Sequence, residues 1–480
     1  MANPTILFNN GTGSDTAASG AGPGTAISGA AAAHTGGAAT TTITLTNTPD
    51  LSGVAVDGSA VLWLKTSGTT RRFSKITAKD DGADTVTVED SFTIAAGSPV
   101  DYAIGGKRKT MEHADSVRLF IADAKGGWAI TLEDDQPAIT ASIACTATGD
   151  ATNGFITLQG DSTTTRRLLT SATNNVSPLS GGCLSWVVRN LKFTSSAATK
   201  TSSYGILLNA AASGVLVLIN CIFGDPTDKL QNAWLRTASA QLGIIVIDCE
   251  VQYCLGVGCP EASGTSAAAP YRIMNCWVHH NTGAGIAPLY SVNITVSGCL
   301  ITNNGGSGIA LGSGNGLAPI IVGNTIHGNT GASSDGISLG HATPITGAVI
   351  YNNSITANGR YGLNCSAGAE ALNNRLVGLV DHNNYGNASD STANTSGAVN
   401  GITAGASDLT VAPSYTNAAG NDYSVSTSMK AVGYPPAARN IGANNSSTLS
   451  YVDIGAAQRQ EAAAGGGLLT HPGMSGGIRG

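Results

Sequence analysis

The chain has 480 residues, of which only 11% are charged and 5% aromatic, while 63 are glycine. A globular enzyme normally carries about 25% charged residues, so most of this surface must consist of Asn, Ser, Thr and Gly, which suits stacked strands. The net charge of -6 argues against a nucleic-acid partner. No apolar run approaches the roughly 18 residues of a membrane span, so no membrane partner is expected.

Residues 1–40 begin with "MANPTILFNN" and continue as a run rich in Gly, Ala, Ser and Thr. The start lacks the basic residues and the apolar core of a secretory signal, so we expect a protein made and folded in a cytoplasm. The run that follows is typical of a flexible or extended arm. The chain has nine cysteines, and in a cytoplasm these are expected to be reduced, mostly buried thiols.

Residues 41–110 contain five segments in which apolar and polar residues alternate, separated by Gly and Asp turns. This alternation predicts a small antiparallel β domain. The segments are "TTTITLTN", "AVLWLKT", "RRFSKITA", "TVTVEDSF" and "VDYAIGG".

Residues 111–130 are predicted to hold a capping helix and the first strand of the next domain. In "EHADSVRLFIADAK", Val117, Phe120, Ile121 and Ala124 have helical spacing, with charged residues between them. A helix placed before "GWAITLEDD" would cover the unpaired strand edges at the end of a stack of coils. The alternative is a helix that belongs to an independent small domain.

The centre of the chain is a repeat. Eight related segments lie between Val187 and Val377: "VVRNLKF", "VLINCIF", "IVIDCEV", "RIMNCWV", "TVSGCLI", "IVGNTIH", "IYNNSIT" and "ALNNRLV". Each has an apolar residue, a turn-forming Asn, Asp or Gly, one special position, a variable residue and a final apolar residue. The special positions, 21 to 30 residues apart, are Leu191, Cys221, Cys249, Cys276, Cys299, Asn324, Asn353 and Asn374.

Period-two alternation at this repeat length predicts short strands in stacked coils about 4.8 Å apart. The special positions from Cys221 onward would then form an internal ladder. Asn can bond to the Asn of the next coil, and Cys can take the place where no amide partner is available. The residue before each ladder position is predicted to form a tight bend with positive φ. These bend residues are Asn220, Asp248, Asn275, Gly298, Gly323, Asn352 and Asn373.

The segments "GNTI" and "NNSI", with the following "SDGISL", "GSGIAL" and "RYGLNC", resemble the repeat of the right-handed parallel β-helix proteins of the pectate-lyase-like group. The resemblance is strong over roughly 186–380 and weaker over 111–185 and 381–458. It implies an all-β fold, a right-handed parallel β-helix (solenoid) over residues 131–458 with closing strands, preceded by the small β domain and the short capping helix. Residues 459–480 are a Gly-rich tail, either free or a docking peptide.

Catalytic candidates are few. A polysaccharide-cleaving site needs a carboxylate pair, or a basic residue beside calcium-binding acids. Between residues 263 and 360 the one acidic residue is Asp335. Earlier coils offer Asp225, Asp228 and Glu250 as weak catalytic candidates, with turn-forming or solvated acids as the alternative.

One set of residue types has spacings that a metal site can use: Cys249, Cys254, Cys259, His279 and His280. Cys249 already has a place in the ladder, so we expect neither a metal nor another cofactor. His279 and His327 each lie three residues after a ladder position, which places them in one column but two coils apart. They are expected to be exposed loop histidines.

The residue after each ladder position is predicted to point outward. Ile222, Trp277 and Leu300 are apolar members of this strip, and an outward apolar strip usually marks contact with another surface. The two alternatives are cover within the chain, by a long loop or the amino-terminal domain, and an interface with a neighbouring subunit.

A β-helix of low charge with a leading β domain and a Gly-rich tail resembles the virion proteins of tailed phages, namely spikes, fibres and capsid-decorating proteins. This resemblance implies a structural protein, made in the host cytoplasm and located in the virion. Its partners would be other virion subunits, further copies of the chain, with a trimer as the first expectation, and a host-surface polysaccharide. The alternatives are a polysaccharide depolymerase of lyase or hydrolase type and a cell-surface adhesin.

Overall fold

The structure is a computed structural model of the chain. None of the helices it describes combines the length and hydropathy that a membrane span requires. The residues that it describes are 4–12, 27–31, 39–45, 48–57, 59–67, 70–93, 100–149, 152–209, 214–236, 242–261, 270–288, 293–311, 319–331, 333–339, 345–364, 376–381, 399–400, 415–418 and 422–425.

The chain divides into two compact units, Met1–Lys192 and Phe193–Gly480. The first unit holds a short helix, α1 (Ala114–Arg118), which continues as a π-helical turn over Leu119–Asp123. Its strands are β1 (Thr5–Phe8), β2 (Ile27–Ala31), β3 (Ala39–Thr44), β4 (Val61–Ser67), β5 (Thr70–Asp80), β6 (Thr85–Thr93), β7 (Val100–Ile104), β8 (Lys107–Arg108), β9 (Ala129–Leu132), β10 (Ile143–Cys145), β11 (Ile156–Gly160), β12 (Arg167–Ser171), β13 (Leu179–Gly181) and β14 (Trp186–Arg189).

A small antiparallel sheet forms the leading part of this unit, in the order β2-β7-β4-β5-β6-β3. Its apolar residues alternate along the strands, as the sequence predicts, and pack into one buried cluster. Leu62, Leu64, Ile76, Val86 and Phe92 belong to that cluster. The expected amino-terminal β domain is therefore confirmed.

The prediction of an arm over residues 1–40 is wrong for the strands that the structure describes there. Strand β1 lies between β8 and β9 and pairs with both in parallel, so the start of the chain completes a coil. Strand β2 is an edge strand of the small sheet. The alternation in "TILF", with Ile6 and Phe8 buried, is the local cause of β1.

The capping helix is present but shorter than the pattern predicts. Phe120 is fully buried and stacks on Trp186 at 6.2 Å between ring centroids, and it also contacts Phe8 at 6.3 Å. The inward position expected for Ile121 is wrong, because this residue is 38% exposed. The Ala124 amide donates to the Leu119 carbonyl five residues earlier, and this wider π turn rotates the buried face by one residue.

Asp123 fastens the π turn to strand β5. Its carboxylate accepts from Arg72 Nε at 2.7 Å and from the Phe73 amide at 3.2 Å. Burial raises the pKa of Asp123, and the two nearby guanidinium groups, Arg72 and Arg118, oppose that rise.

The second unit is built from repeating coils. Its strands, with β15 beginning at the unit boundary, are β15 (Leu191–Ser195), β16 (Tyr204–Leu208), β17 (Gly214–Ile219), β18 (Ile222–Phe223), β19 (Asn232–Arg236), β20 (Leu242–Ile247), β21 (Glu250–Gln252), β22 (Cys259–Glu261), β23 (Pro270–Met274), β24 (Trp277–His279), β25 (Ile286–Pro288), β26 (Asn293–Ser297), β27 (Leu300–Thr302), β28 (Ile309–Leu311), β29 (Ile320–Val322), β30 (Thr325–His327), β31 (Ile337–Leu339), β32 (Ile345–Tyr351), β33 (Ser354–Thr356), β34 (Leu363–Asn364), β35 (Leu376–Asp381), β36 (Val399–Asn400), β37 (Tyr415–Asn417) and β38 (Asp422–Val425).

Each of the five described coils from β20 to β34 contributes one strand to each of three parallel sheets. The first sheet runs β17-β20-β23-β26-β29-β32-β35, the second, here called the short-strand sheet, β18-β21-β24-β27-β30-β33, and the third β22-β25-β28-β31-β34-β36. Their inward residues stack in register into continuous apolar columns. In the short-strand sheet, Phe223, Val251, Val278, Ile301, Ile326 and Ile355 are all fully buried. The predicted parallel β-helix is confirmed.

Candidate functional site

Two bends delimit each strand of the short-strand sheet. Before the strand, Asn220, Asp248, Asn275, Gly298, Gly323 and Asn352 have φ between 52° and 63°, as the sequence predicts; Asn373 lies outside the described residues. A second bend follows each strand, and the sequence pattern did not predict it. Its residues, with φ between 51° and 85°, are Gly224, Tyr253, His280, Asn303, Gly328 and Ala357.

The first ladder lies inside the first bend. The amide of Cys299 donates to Asn324 Oδ1 at 2.9 Å, and the Asn324 amide donates to Asn353 Oδ1 at 3.0 Å. The side-chain amide of Asn324 donates as well: its Nδ2 donates to the Val296 carbonyl at 3.0 Å and to Asn353 Oδ1 at 2.9 Å. Every buried amide in this stretch therefore has a partner along the coil axis. Asn374 lies outside the described residues.

Cysteine continues the same ladder in the earlier coils. The amides of Cys221, Cys249 and Cys276 each point at the sulfur of the next Cys, at 3.3 to 3.4 Å. The Cys299 thiol contacts the Ile273 carbonyl, which is the kind of carbonyl that the Asn amides bond in later coils. Burial raises the pKa of Cys249 and of Cys276, which keeps these groups as thiols.

A second ladder, which the sequence pattern did not reveal, lies inside the second bend. Asn281 donates through Nδ2 to Asn304 Oδ1 at 2.9 Å, Asn304 to Asn329 Oδ1 at 2.9 Å, and Asn329 to Asn358 Oδ1 at 2.8 Å. Cys254 begins this ladder with its amide on Asn281 Oδ1 at 2.9 Å. The signal was available, because each of these residues lies five positions after a first-ladder residue.

The outer face of the short-strand sheet carries two columns of side chains. One column follows the register Ile222, Glu250, Trp277, Leu300, Thr325 and Ser354. Leu300 stands in this outward column but is only 4% exposed, as the alternative of cover within the chain requires, whereas Ile222 and Trp277 are half-buried. Leu300 therefore presents too little surface to anchor a subunit interface in this structure.

The other column contains His279 and His327, the two histidines that the sequence places in one column. His279, Thr302 and His327 stand in register on β24, β27 and β30, which places the histidines two coils apart. Their assignment as exposed loop residues is wrong, because both lie in strands and His279 is 3% exposed. The neighbouring aromatic rings cover His279, and His327 bonds Thr356 Oγ1 at 2.9 Å.

Five residues on this face form what we call the His–aromatic cluster: Glu250, Tyr253, Trp277, His279 and His280. His279 Nε2 lies 3.0 Å from Glu250 Oε1, and His279 Nδ1 lies 2.8 Å from His280 Nδ1. Trp277 stacks on His279 with 3.8 Å between ring centroids, and Tyr253 stacks on His280 at 5.1 Å. Burial, aided by the neighbouring His279, lowers the pKa of His280.

The three weak catalytic candidates are not alike. Asp225 Oδ1 accepts from the amide of Thr227 at 2.9 Å and from that of Asp228 at 3.5 Å, which is the geometry of a turn-forming carboxylate. Asp228 lies within that turn. Glu250 alone joins a cluster of groups that can move a proton or bind a polar ligand.

The structure does not assemble the metal-ligand set suggested by spacing. Cys249, Cys254 and Cys259 are buried free thiols, while both His279 ring nitrogens are occupied by Glu250 and His280. Over the described ranges, no group of three or more His, Cys, Asp or Glu side chains is arranged to hold a metal ion.

Asp335, the one acidic residue between residues 263 and 360, has a structural role. Its carboxylate is bound by Arg360 through Nε and Nη2, both at 2.9 Å, and by Asn364 Nδ2 at 2.8 Å. The Asp335 amide in turn donates to Ser307 Oγ at 3.0 Å. These contacts join three successive coils.

Comparison with known proteins supports the fold. Residues 232–401 match a family model described as a right handed beta helix region, so the coil is a right-handed parallel β-helix. One similar solved structure is the crystal structure of pectate lyase Pel9A, with 16% sequence identity and a TM-score of 0.41 over 73% of this chain and 92% of that one. A search of curated proteins gave no match.

Proposed function

We propose that this chain is a structural virion protein of a tailed phage, of spike, fibre or capsid-decoration type, whose rigid coil serves assembly and contact with a host-surface glycan. The observation that carries the proposal is the pair of buried ladders, which join successive coils through Asn281, Asn304, Asn324 and Asn329. A solenoid whose coils contact only their neighbours opens locally unless such contacts couple them.

The low charge of the chain fits an assembly element. With 11% charged residues, the coil presents Asn, Ser, Thr and Gly to its surroundings, and contacts made by these groups have small desolvation costs compared with charged ones. On this proposal the protein is made in the host cytoplasm, joins other virion subunits and associates with further copies of itself. A homotrimer is the proposed state.

The solution mass of the full-length protein tests this proposal. Size exclusion with light scattering over a tenfold dilution should give a mass three times that of the 47.9 kDa chain at every concentration. A monomeric mass throughout the series would overturn the trimer, and would leave the spike and fibre types without support.

A polysaccharide depolymerase is the second candidate, and the contact between Glu250 and His279 favours it. A carboxylate hydrogen-bonded to an imidazole can orient that ring for proton transfer. The candidate predicts that acidic or neutral polysaccharides incubated with the protein release unsaturated products or reducing ends. Product release that Glu250→Ala abolishes would favour the enzyme, whereas no release above a heat-denatured control would count against it.

A further inference from the structure

Donor and acceptor roles in the His–aromatic cluster follow from the Glu250 carboxylate and from the tautomers of the two histidines. A carboxylate only accepts, so the proton between Glu250 and His279 belongs to His279 Nε2. In the neutral form of His279 that N–H is the only one, so His279 Nδ1 accepts and His280 Nδ1 donates. The remaining nitrogen of His280, Nε2, carries a lone pair, and the residue as a whole is exposed although the ring packed against His279 and Tyr253 is partly buried.

The backbone under two of these rings is strained. Tyr253 and His280 have φ of 51° and 52°, in the left-handed region where a bulky side chain is disfavoured. Glycine occupies the same second-bend position at Gly224 and Gly328. Asn303 and Ala357 adopt the same positive φ at this position, so the bend and not the cluster requires the conformation, and the two rings are retained in spite of it.

We propose that the His–aromatic cluster is a binding site for a neutral sugar, in which a hydroxyl of the ligand donates to His280 Nε2 and the rings of Tyr253 and Trp277 contact the sugar ring. This inference deepens the glycan contact of the proposed function and rests on that part of it. It does not depend on the trimer.

The ligand class follows from the groups present. Apolar C–H faces of sugars pack on aromatic rings, and the residues Tyr253 and Trp277 are half-buried and not fully buried. Glu250 brings a carboxylate into the cluster, which disfavours an anionic sugar. The lone pair at His280 Nε2 can accept a hydrogen bond, and a sugar hydroxyl can donate one in place of water.

The tautomers of the two histidines can be measured without any ligand, and they test the hydrogen-bonded relay that runs from Glu250 through His279 to His280. In full-length protein labelled with 15N-histidine, long-range 1H–15N spectra at pH 7.5 should show His279 protonated on Nε2 and His280 protonated on Nδ1. Glu250→Ala should return His280 to a mixture of tautomers, because His279 Nε2 then has no carboxylate to hold its proton, and His279 no longer fixes the tautomer of His280. A wild-type His280 protonated on Nε2 would overturn the relay.

Binding is tested with a panel of neutral oligosaccharides built from glucose, galactose, mannose, rhamnose and N-acetylhexosamines, with oligogalacturonate as the anionic probe. At least one neutral probe should shift the His280 Nε2 resonance, and Tyr253→Gly and His280→Gly should each weaken its binding at least tenfold. Both variants should keep the backbone of the second bend, since glycine occupies the equivalent position at Gly224 and Gly328.

His327→Gln, on the same face two coils away, is the matched control and should leave binding unchanged. No shift with any neutral probe, a shift only with oligogalacturonate, or equal binding by His280→Gly would each overturn the site. The solution mass of the variants separates the two proposals, because the site can fail while the trimer persists.

Discussion

At the scale of the residue, the first ladder makes one side chain responsible for several buried hydrogen bonds. Asn324→Ala would leave the Cys299 amide, the Val296 carbonyl and one Asn353 acceptor site without their present partner. Because an unsatisfied buried group costs about 1–3 kcal/mol, we expect a loss of about 2–4 kcal/mol in the free energy of unfolding by urea titration.

Asn324→Cys is the matched variant, because Cys occupies the same column in four earlier coils and its sulfur accepts the preceding amide in three of them. This variant should lose less than half as much as Asn324→Ala. Equal losses in the two variants would mean that side-chain volume, and not the ladder bonds, stabilises this position.

A second residue-scale prediction concerns acid stability. Burial lowers the pKa of His327, so the unfolded chain binds more protons than the folded one below about pH 6.5, the ordinary histidine value. Its contribution to stability is therefore complete above that value and is lost as the pH falls through the folded pKa. His280 acts in the same direction.

Urea unfolding at pH 7.5 and pH 5.0 checks this sign. The wild type should lose stability on acidification, and His327→Asn should lose less, because Asn does not titrate. A His327→Asn protein with an unchanged pH dependence would show that this histidine does not carry the effect.

At the scale of the element, the second bend gives a paired test of backbone strain. Ala357 has φ of 53°, where a non-glycine residue costs about 1–2 kcal/mol. Part of that is offset by the greater freedom that glycine gives the unfolded chain, so Ala357→Gly should stabilise by about 0.5–1 kcal/mol.

Gly328→Ala is the reverse change at the equivalent position, with φ of 64° and an added Cβ only 2.8 Å from Asn303 Oδ1. It should destabilise by at least about 1 kcal/mol. Chemical unfolding of both variants measures the change in the free energy of unfolding. Changes of the same sign in the two variants would contradict the assignment of a common bend.

The elements also show what a sequence can predict. The parallel coil and the first bends were predictable, because period-two alternation around a turn-forming residue such as Asn275 specifies two short strands that meet at a bend there. The second ladder was missed although its five-residue offset from the first is visible, because Asn304 lies in "TNNGGSG", where Asn next to Gly indicates a turn and not a buried amide.

The His–aromatic cluster was beyond prediction for a different reason. Glu250 and His279 are 29 residues apart, and they meet only because strands β21 and β24 pair in a particular register. Residue types near one another in the chain gave instead a Cys and His set that the coil does not bring together. Side-chain direction along a strand and burial by neighbouring rings decide such contacts, and spacing alone does not specify either.

For the second unit as a whole, we infer that two buried ladders couple its coils into one rigid element. Solenoid stability is a sum of coil and interface terms, so strong interfaces make the coils open together. The assembly role proposed above depends on this rigidity, because a rod that opens coil by coil would neither hold its form nor resist proteases.

Amide hydrogen exchange of the intact, full-length protein, read by mass spectrometry on peptides from residues 242–261, 270–288, 293–311 and 319–331, measures this coupling directly. We predict that amides bonded to ladder oxygens exchange in the slowest class of the protein and share one opening free energy. Examples are the amides of Cys254, Asn281, Cys299 and Asn304. Exchange of these amides within minutes, or with a different opening free energy in each coil, would contradict it.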